Sequence, residues 1–454
     1  MNASLAFAGR CLGGALIAGV LVAVGAAALA TAPAAAASAT PLSTSNNTPF
    51  PTSTLITGAT WTSARYFPPS NQFGDILSTS SSTGDSLYVL IDDGGTGTSG
   101  GALWRNSFAQ VTGTPGDLTF TAVGNSGTAK TYAQVGGNEE RLTGPLGSYY
   151  SMGFTIVNGV FYATQANNWN WNANGPFDGL AGIAYSTDQG QHWQFPKESF
   201  PSPTGNLNFI QYGDDAAAPD GYVYAIATER EFNASTLILG RARADVADIT
   251  NPARWQWAAG STTSGEKQVP IWTNSIPRAK PVLTWNDHIT YPRISYDPAL
   301  HRYLLTFTYS YASASPGIWK DGSELEILES PTPWGPFSFV ARDADFGPSN
   351  GYDPAIPENW IAANGLHMWM IWAAKFDGCA GGLDCSGAYG FNYRQLRLTL
   401  APGATPTFGS ASAPATPQHK LPGTPPRHRL PRVPAAITSG RSRWIPEPEP
   451  PVSD

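Results

Sequence analysis

Apolar and polar residues along this chain change places in short runs. No segment between residues 40 and 400 sustains apolar spacing at three and four residues for several turns. Period-two alternation and brief apolar runs between turn residues predict strands. The runs fall into five groups. The first holds SLYVLIDD, SFAQVTG and LTFTAVG; the second MGFTIVNGVFYATQA, GIAYS and HWQFP. The third holds LNFIQYG, GYVYAIATERE, TLILGRARA and RWQWAAG. The fourth holds PRISYDPALHRYLLTFTYSY, LEILES and FSFVAR, and the fifth WIAANGLHMWMIWAAK and FNYRQLRLTLA. Several groups repeat one plan: an inner strand, a turn such as VNGV or DPALHR, a strong apolar strand, then outer strands. Such recurrence is what a radial propeller produces. The expected fold class is all-β, a five-bladed β-propeller in a single domain over residues 40–400.

Before the first group the pattern changes. Arg10 precedes the apolar run LGGALIAGVLVAVGAAALATA, which leads to Ala37-Ser38-Ala39. A charged start, an apolar stretch and a small-residue end make residues 1–39 a secretory signal, cut after Ala39. The run is long enough to span a bilayer as an uncleaved anchor, but its Gly/Ala richness and A-x-A end favour cleavage. Cys11 follows Gly9-Arg10, which is no lipid-attachment box. Export without an integral membrane segment is expected.

After the last group, residues 401–454 are rich in Pro, Ala and Arg and lack either period. Such a segment cannot bury enough apolar surface to offset its ordering, which predicts a disordered tail. Charge separates it from the body. The chain carries 26 Lys+Arg and 33 Asp+Glu; with Arg10 and the tail's six cations and three acids set aside, 19 and 30 remain. An acidic body argues against nucleic acid as a partner.

Two cysteines follow the signal, Cys379 and Cys385, in GCAGGLDCSG. An even, closely spaced pair in an exported chain predicts one disulfide pinning a loop. No His/Cys cluster completes a zinc site, so no metal ligands are assigned. Residues 186–193, STDQGQHW, match the Asp-box S-x-D-x-G-x-x-W. Its Asp caps a tight turn, its Gly supplies positive φ and its Trp packs back; Asp188 and His192 are therefore read as structural.

GLAGIAYSTDQGQHWQF, YPRISYDPALHRYLLTFTYS, ESPTPWGPFSFV and GYDPAIPENWIAANGLHMWMIWA, in that order, resemble landmarks of secreted bacterial five-bladed propellers. These belong to the glycoside-hydrolase-like group that includes endo-D-arabinanases. The resemblance covers most of residues 60–400. It implies a funnel lined by the starts of inner strands, with acids of the first blade in catalysis. The positions that look equivalent are Asp75 and Asp93. Where the family commonly has Gly-Asp-Gly, this chain has Asp92-Asp93-Gly94, so which of the adjacent acids faces the funnel stays open.

The residues themselves point the same way. DILSTSSSTGDSLYVLIDDGG reads as two strands across a turn, with Asp75 at the start of one and Asp92 and Asp93 at the end of the other. In an antiparallel pair those ends lie side by side. Glycosidic cleavage needs one carboxylic acid to protonate the leaving oxygen and a second carboxylate as nucleophile or base. Adjacent strand residues face opposite ways, so only one of Asp92 and Asp93 can serve. Asp353, in GYDPAIP before an inner strand, is a third catalytic candidate. Substrate-binding candidates are Asp92, Glu229, Arg293, and Asn168, Trp169 and Trp171 of NNWNWN, which offer amides for hydroxyls and flat faces for sugar rings. The G-x-S-x-G at 97–101 lacks the strand–turn–helix setting of a nucleophile elbow.

These observations predict an exported glycoside hydrolase acting on a cell-wall or environmental polysaccharide. No cofactor is required, although a structural cation could fill a propeller channel, and a monomer is expected. A non-catalytic carbohydrate-binding or protein-interaction propeller of the envelope is the competing reading; it would not need two converging acids.

Overall fold

A computed structural model of the chain describes residues 39–67, 72–82, 86–96, 106–123, 151–166, 180–195, 198–216, 218–264, 267–310, 322–346, 351–374 and 389–404. The strands in chain order begin with β1 (Thr40–Pro41) and β2 (Ile56–Trp61). Next come β3 (Gln72–Ser82), β4 (Ser86–Thr96), β5 (Asn106–Thr114) and β6 (Asp117–Ala122), one four-stranded sheet. Strands β7 (Phe154–Val157), β8 (Val160–Ala166) and β9 (Leu180–Ser186) form a three-stranded sheet. A nine-stranded sheet takes β10 (Asn206–Phe209), β11 (Tyr222–Thr228), β12 (Ala234–Arg243), β13 (Gln256–Ser264), β14 (Lys267–Thr273), β15 (Leu283–Asp297), β16 (Arg302–Ser310), β17 (Ser323–Ser330) and β18 (Ser338–Asp343). The last, β19 (Tyr352–Ala355), β20 (His367–Ala373) and β21 (Asn392–Leu400), pair onward to β2 and β1. Among the described residues the α-helix is a single four-residue turn, α1 (Val246–Ile249), and no helix is long and apolar enough to cross a membrane. The protein is nearly all-β.

Local chemistry explains the turns. Val157 pairs with Val160 around Asn158 and Gly159, at φ 52° and 75°; two left-handed residues give the hairpin turn whose twist suits its strands. In the 297–302 turn, Asp297 Oδ1 accepts the amides of Ala299 (3.0 Å) and Leu300 (3.1 Å). At 186–193, Asp188 accepts the backbone N–H of His192 at 2.9 Å, Gly190 stands at φ 84°, and Trp193 Nε1 donates to the Gly190 carbonyl at 3.1 Å. The His192 amide foremost, with the His192 ring and the Ser186 hydroxyl, holds the Asp188 carboxyl down at about 2.

Among the described residues all the long pairings are antiparallel, and no sheet closes into a barrel. The first strand of each run instead packs beside the first strand of the next. Strand β3 lies against β7, β7 against β10, β10 against β15, β15 against β19, and β19 back against β3. Side chains join these strands where a backbone ladder does not. Phe154 and Ile156 donate their amides to Ser78 Oγ (2.9 Å) and Ser80 Oγ (3.0 Å), and Gln211 Nε2 donates to the Phe154 carbonyl (2.9 Å). Gly153 sits where a Cβ would come within 2.4 Å of the Leu207 carbonyl oxygen, so the approach of β7 to β10 requires a residue with no side chain.

Away from the ring, successive sheets pack apolar faces. Tyr88, Leu90 and Phe108 meet Phe154, Ile156 and Phe161 in one cluster, and Leu304, Leu325 and Ile327 meet Trp61, Met370 and Leu396 in another. Strand β2 pairs with β21 from Ile56↔Leu400 to Trp61↔Leu396. This joins the first strands of the described domain to its last, a closure absent from the five sequence groups. Strand β15 is also longer than its sequence group implies. Its first part pairs β12 and its second part pairs β16, which fuses two meanders into the nine-stranded sheet.

Candidate active site

Three inner strands carry the same irregularity. The register shifts on β3 around Asp75, on β15 between Thr290 and Arg293, and on β19 between Tyr352 and Ala355. At each break a non-glycine residue turns left-handed: Ile76 at φ 45°, Tyr291 at 46° and Asp353 at 55°. A bulge re-aims the side chains next to it, and a bulky residue at positive φ persists only where packing enforces it. Three such breaks on one ring of strands turn Asp75, Tyr291, Arg293, Tyr352 and Asp353 into a common cluster, all of them buried.

Arg293 holds that cluster together. Its Nε donates to Asp353 Oδ1 at 2.6 Å, and its Nη1 donates to Ser78 Oγ (3.1 Å), to the Met152 carbonyl (2.7 Å) and to Asn208 Oδ1. One guanidinium thus reaches β19, β3, the entry to β7, and β10 from its seat on β15. Asp353 is fully buried, and burial lifts its carboxyl above the usual range against the opposing pull of Arg293.

Beside this pair stand two tyrosines with ring centres 6.1 Å apart. Tyr352 donates its hydroxyl to Asp75 Oδ2 at 2.8 Å, and Tyr291 donates to Glu231 Oε1. Burial pushes both phenols well above their ordinary range. For Tyr352 the Asp75 carboxylate adds to it; for Tyr291 Glu231 does so most, then Asp75 and Asp353. Three carboxylates from three inner regions therefore act on one tyrosine pair. Asp75 with Tyr352, and Glu231 with Tyr291, are two hydrogen-bonded pairs whose rings lie side by side, with Glu231 half-buried. Two acids, each bonded to one of two neighbouring tyrosines, are parts that general acid and base work can use.

No family model matches this sequence. No curated protein matches it either. Solved structures resemble it at low identity. A candidate hydrolase from Bacteroides ovatus is 14% identical over 74% of this chain and 90% of that one, with a TM-score of 0.44. An α-L-arabinofuranosidase from Podospora anserina in complex with cellotriose is 11% identical over 73% and 94%, at 0.39. The GH62 α-L-arabinofuranosidase catalytic domain of Coprinopsis cinerea is 10% identical over 74% and 95%, at 0.40. Scores below 0.5 carry no argument about this chain.

The structure brings together Asp75, Asp353 and Arg293 from the sequence candidates. It pairs Asp75 directly with Asp92 across β3 and β4, and Asp92 is 2% exposed. The side chain of Asp93, one residue on, lies outside the described atoms. Asp353 lies within β19 and not ahead of it. Glu229 serves its own hairpin, accepting the amides of Ser235 (2.5 Å) and Thr236 (3.0 Å) and the Thr236 hydroxyl (2.7 Å). Arg293 is 7% exposed; its Nε and Nη1 donate to protein groups, so it holds a carboxylate and joins strands, while its Nη2 is a buried donor with no hydrogen-bond partner. Asn168, Trp169, Trp171, Cys379 and Cys385 lie outside the described residues, as do the proposed signal apart from Ala39 and nearly all of the tail. Sequence reading missed Glu231, Tyr291 and Tyr352. Glu231 stands two residues past Glu229 in ATERE, and the left-handed Tyr291 precedes Pro292 in TYPR; neither feature marks a site without the fold.

Proposed function

We propose that this chain is an exported glycoside hydrolase on a five-bladed β-propeller, cleaving a cell-wall or environmental polysaccharide such as an arabinan. Asp75 and Glu231 are its paired carboxylates, each bonded to one of the neighbouring tyrosines, Tyr352 and Tyr291. The observation that carries this reading is the convergence of Asp75, Glu231 and Asp353 on that tyrosine pair. The closed neighbour order of β3, β7, β10, β15 and β19 supports the five blades. Asp353, bound to Arg293 and wholly buried, is the acid that sets the local field and stays off the sugar. Asp93, which the sequence pairs with Asp75, is the alternative partner.

The test incubates the purified protein with arabinans and other plant and mycobacterial-type polysaccharides and follows released reducing ends. Asp75→Asn and Glu231→Gln should each lower the rate by about 10²–10⁴-fold, with folding intact. Full activity in Glu231→Gln beside a dead Asp93→Asn would move the second carboxylate to Asp93. Absence of cleavage by the wild type, with retention on a glycan, would make the protein a binding module.

A further inference from the structure

A row of buried polar side chains runs from the axial guanidinium to the loop that carries Glu231. Arg293 on β15 donates its Nη1 to Asn208 Oδ1 on β10. Asn208 Nδ2 donates to Asn206 Oδ1 at 2.9 Å, and Asn206 Nδ2 donates to Thr228 Oγ1 at 3.0 Å. Thr228, the last residue of β11, donates its hydroxyl to the Arg230 carbonyl at 2.8 Å. That carbonyl belongs to the peptide bond leading into Glu231. Asn206 and Asn208 are 0% exposed and Thr228 is 1% exposed.

The row runs in one direction only. A guanidinium can only donate, and a carbonyl oxygen can only accept. Arg293 therefore turns the Asn208 oxygen toward itself and leaves the amide hydrogens of Asn208 for Asn206. The same choice passes to Asn206 and then to Thr228, whose hydrogen goes to Arg230. Buried hydrogen bonds aligned head to tail polarise one another, and a cation at the donor end strengthens the first of them. Stability alone does not call for such a row, because replacing both partners of a buried hydrogen bond by apolar groups of the same shape can be nearly neutral. An apolar row would fill the same space but would not fix a peptide. The rest of the loop is anchored from β15. Arg230 pairs with Asp287, the Asn233 amide donates to Thr290 Oγ1 at 2.7 Å, and Tyr291 donates to Glu231 Oε1. Thr228 holds the backbone just before Glu231, Thr290 holds it just after, and Tyr291 meets the carboxylate between them.

We propose that Asn208, Asn206 and Thr228 are positioning residues that hold the Glu231 carboxylate in place relative to the Arg293–Asp353 pair. The proposal rests on the reading of Glu231 as one of the paired carboxylates. Each member of the row has its own way of failing. Thr228→Val removes the bond to Arg230. Asn206→Asp has no hydrogen to donate, so the Thr228 hydroxyl turns to the new carboxylate and leaves the Arg230 carbonyl. Asn208→Leu leaves Asn206 and Thr228 present but removes what orients them.

The experiment follows the carboxyl carbon of Glu231 by NMR in the full chain labelled at glutamate, with the signal assigned by Glu231→Gln. Reducing ends released from arabinans and other polysaccharides are the second readout, and near-ultraviolet circular dichroism checks that each variant is folded. Thr228→Val, Asn206→Asp and Asn208→Leu should each displace the Glu231 signal and its titration midpoint. They should lower kcat by about 10–100-fold, as a small misplacement of a reacting group does, and leave KM within about twofold. Thr228→Ser keeps the hydroxyl and should match the wild type in both readouts. A row that only fills the core predicts altered Tm values with an unmoved Glu231 titration. That result in folded Thr228→Val and Asn208→Leu would overturn the proposal, as would a Thr228→Ser variant as impaired as Thr228→Val. A wild type that cleaves none of the polysaccharides would sink the hydrolase reading by itself, and the Glu231 titration would still decide whether the row places that carboxylate.

Discussion

Removing Arg293 is the sharpest test of how the ring of inner strands is held. Arg293→Met keeps most of the aliphatic stem and deletes four donated bonds, to Asp353, Ser78, Met152 and Asn208. Breaking a buried ion pair by deleting one partner costs about 3–5 kcal/mol. The other three bonds come from a charged donor, each about 1.5–3 kcal/mol, and do not add fully because they share one group. We expect a loss of about 4 kcal/mol or more at pH 8, a large part of the 5–15 kcal/mol typical of a domain. The loss depends on pH. Burial already raises the Asp353 carboxyl, with Arg293 opposing it; without the guanidinium it rises further. A raised folded pKa gives a contribution that is complete below the unfolded value of about 3.9 and is lost as pH rises through the folded one. The deficit should therefore be smaller at pH 4 than at pH 8. Urea midpoints followed by tryptophan fluorescence at both pH values measure it, with Arg293→Lys as a control that keeps the charge and loses the fork. A deficit below about 1 kcal/mol, within the range of ordinary substitutions, or one equal at both pH values, would refute the reasoning.

Two further outcomes follow from local geometry. Asp297 is buried in the turn after β15, and burial lifts its carboxyl to about 6 against the bonds from Leu300 and Ala299. By the same sign, its contribution is full below about pH 4 and fades by about 3 kcal/mol as pH rises through 6. Asp297→Asn should flatten that part of the stability curve, and parallel curves for wild type and variant at pH 4 and pH 7 would count against it. Gly153→Ala places a methyl 2.4 Å from the Leu207 carbonyl oxygen. The backbone must shift, at a cost of about 1–3 kcal/mol; an unchanged Tm would show that β7 and β10 are not so closely fitted.

What the sequence determined by itself is local. The turns at 157–160, 186–193 and 297–302 follow from Asn-Gly, Asp and Gly placed where short-range backbone geometry needs them. The apolar runs became strands β4 to β13, β15 to β18, β20 and β21 because period and turn signals act within a few residues; HWQFP instead makes an isolated bridge from Gln194 to Tyr185. The pairing of the acid at 75 with the end of β4 was legible too, and the strand register sets the backbone of Asp92 opposite Asp75. Tertiary structure alone decided the site. Tyr352 and Asp75 stand 277 residues apart, Arg293 and Ser78 215 apart, and β2 reaches β21 across almost the whole domain. No local pattern encodes such meetings. They depend on which inner strand lies beside which, on the bulges of β3, β15 and β19, and on burial, which raises the Asp353 carboxyl against the pull of Arg293. Glu231 is one acid among several in the sequence; the hydroxyl of Tyr291, placed by a left-handed residue on a distant strand, is what gives it a role.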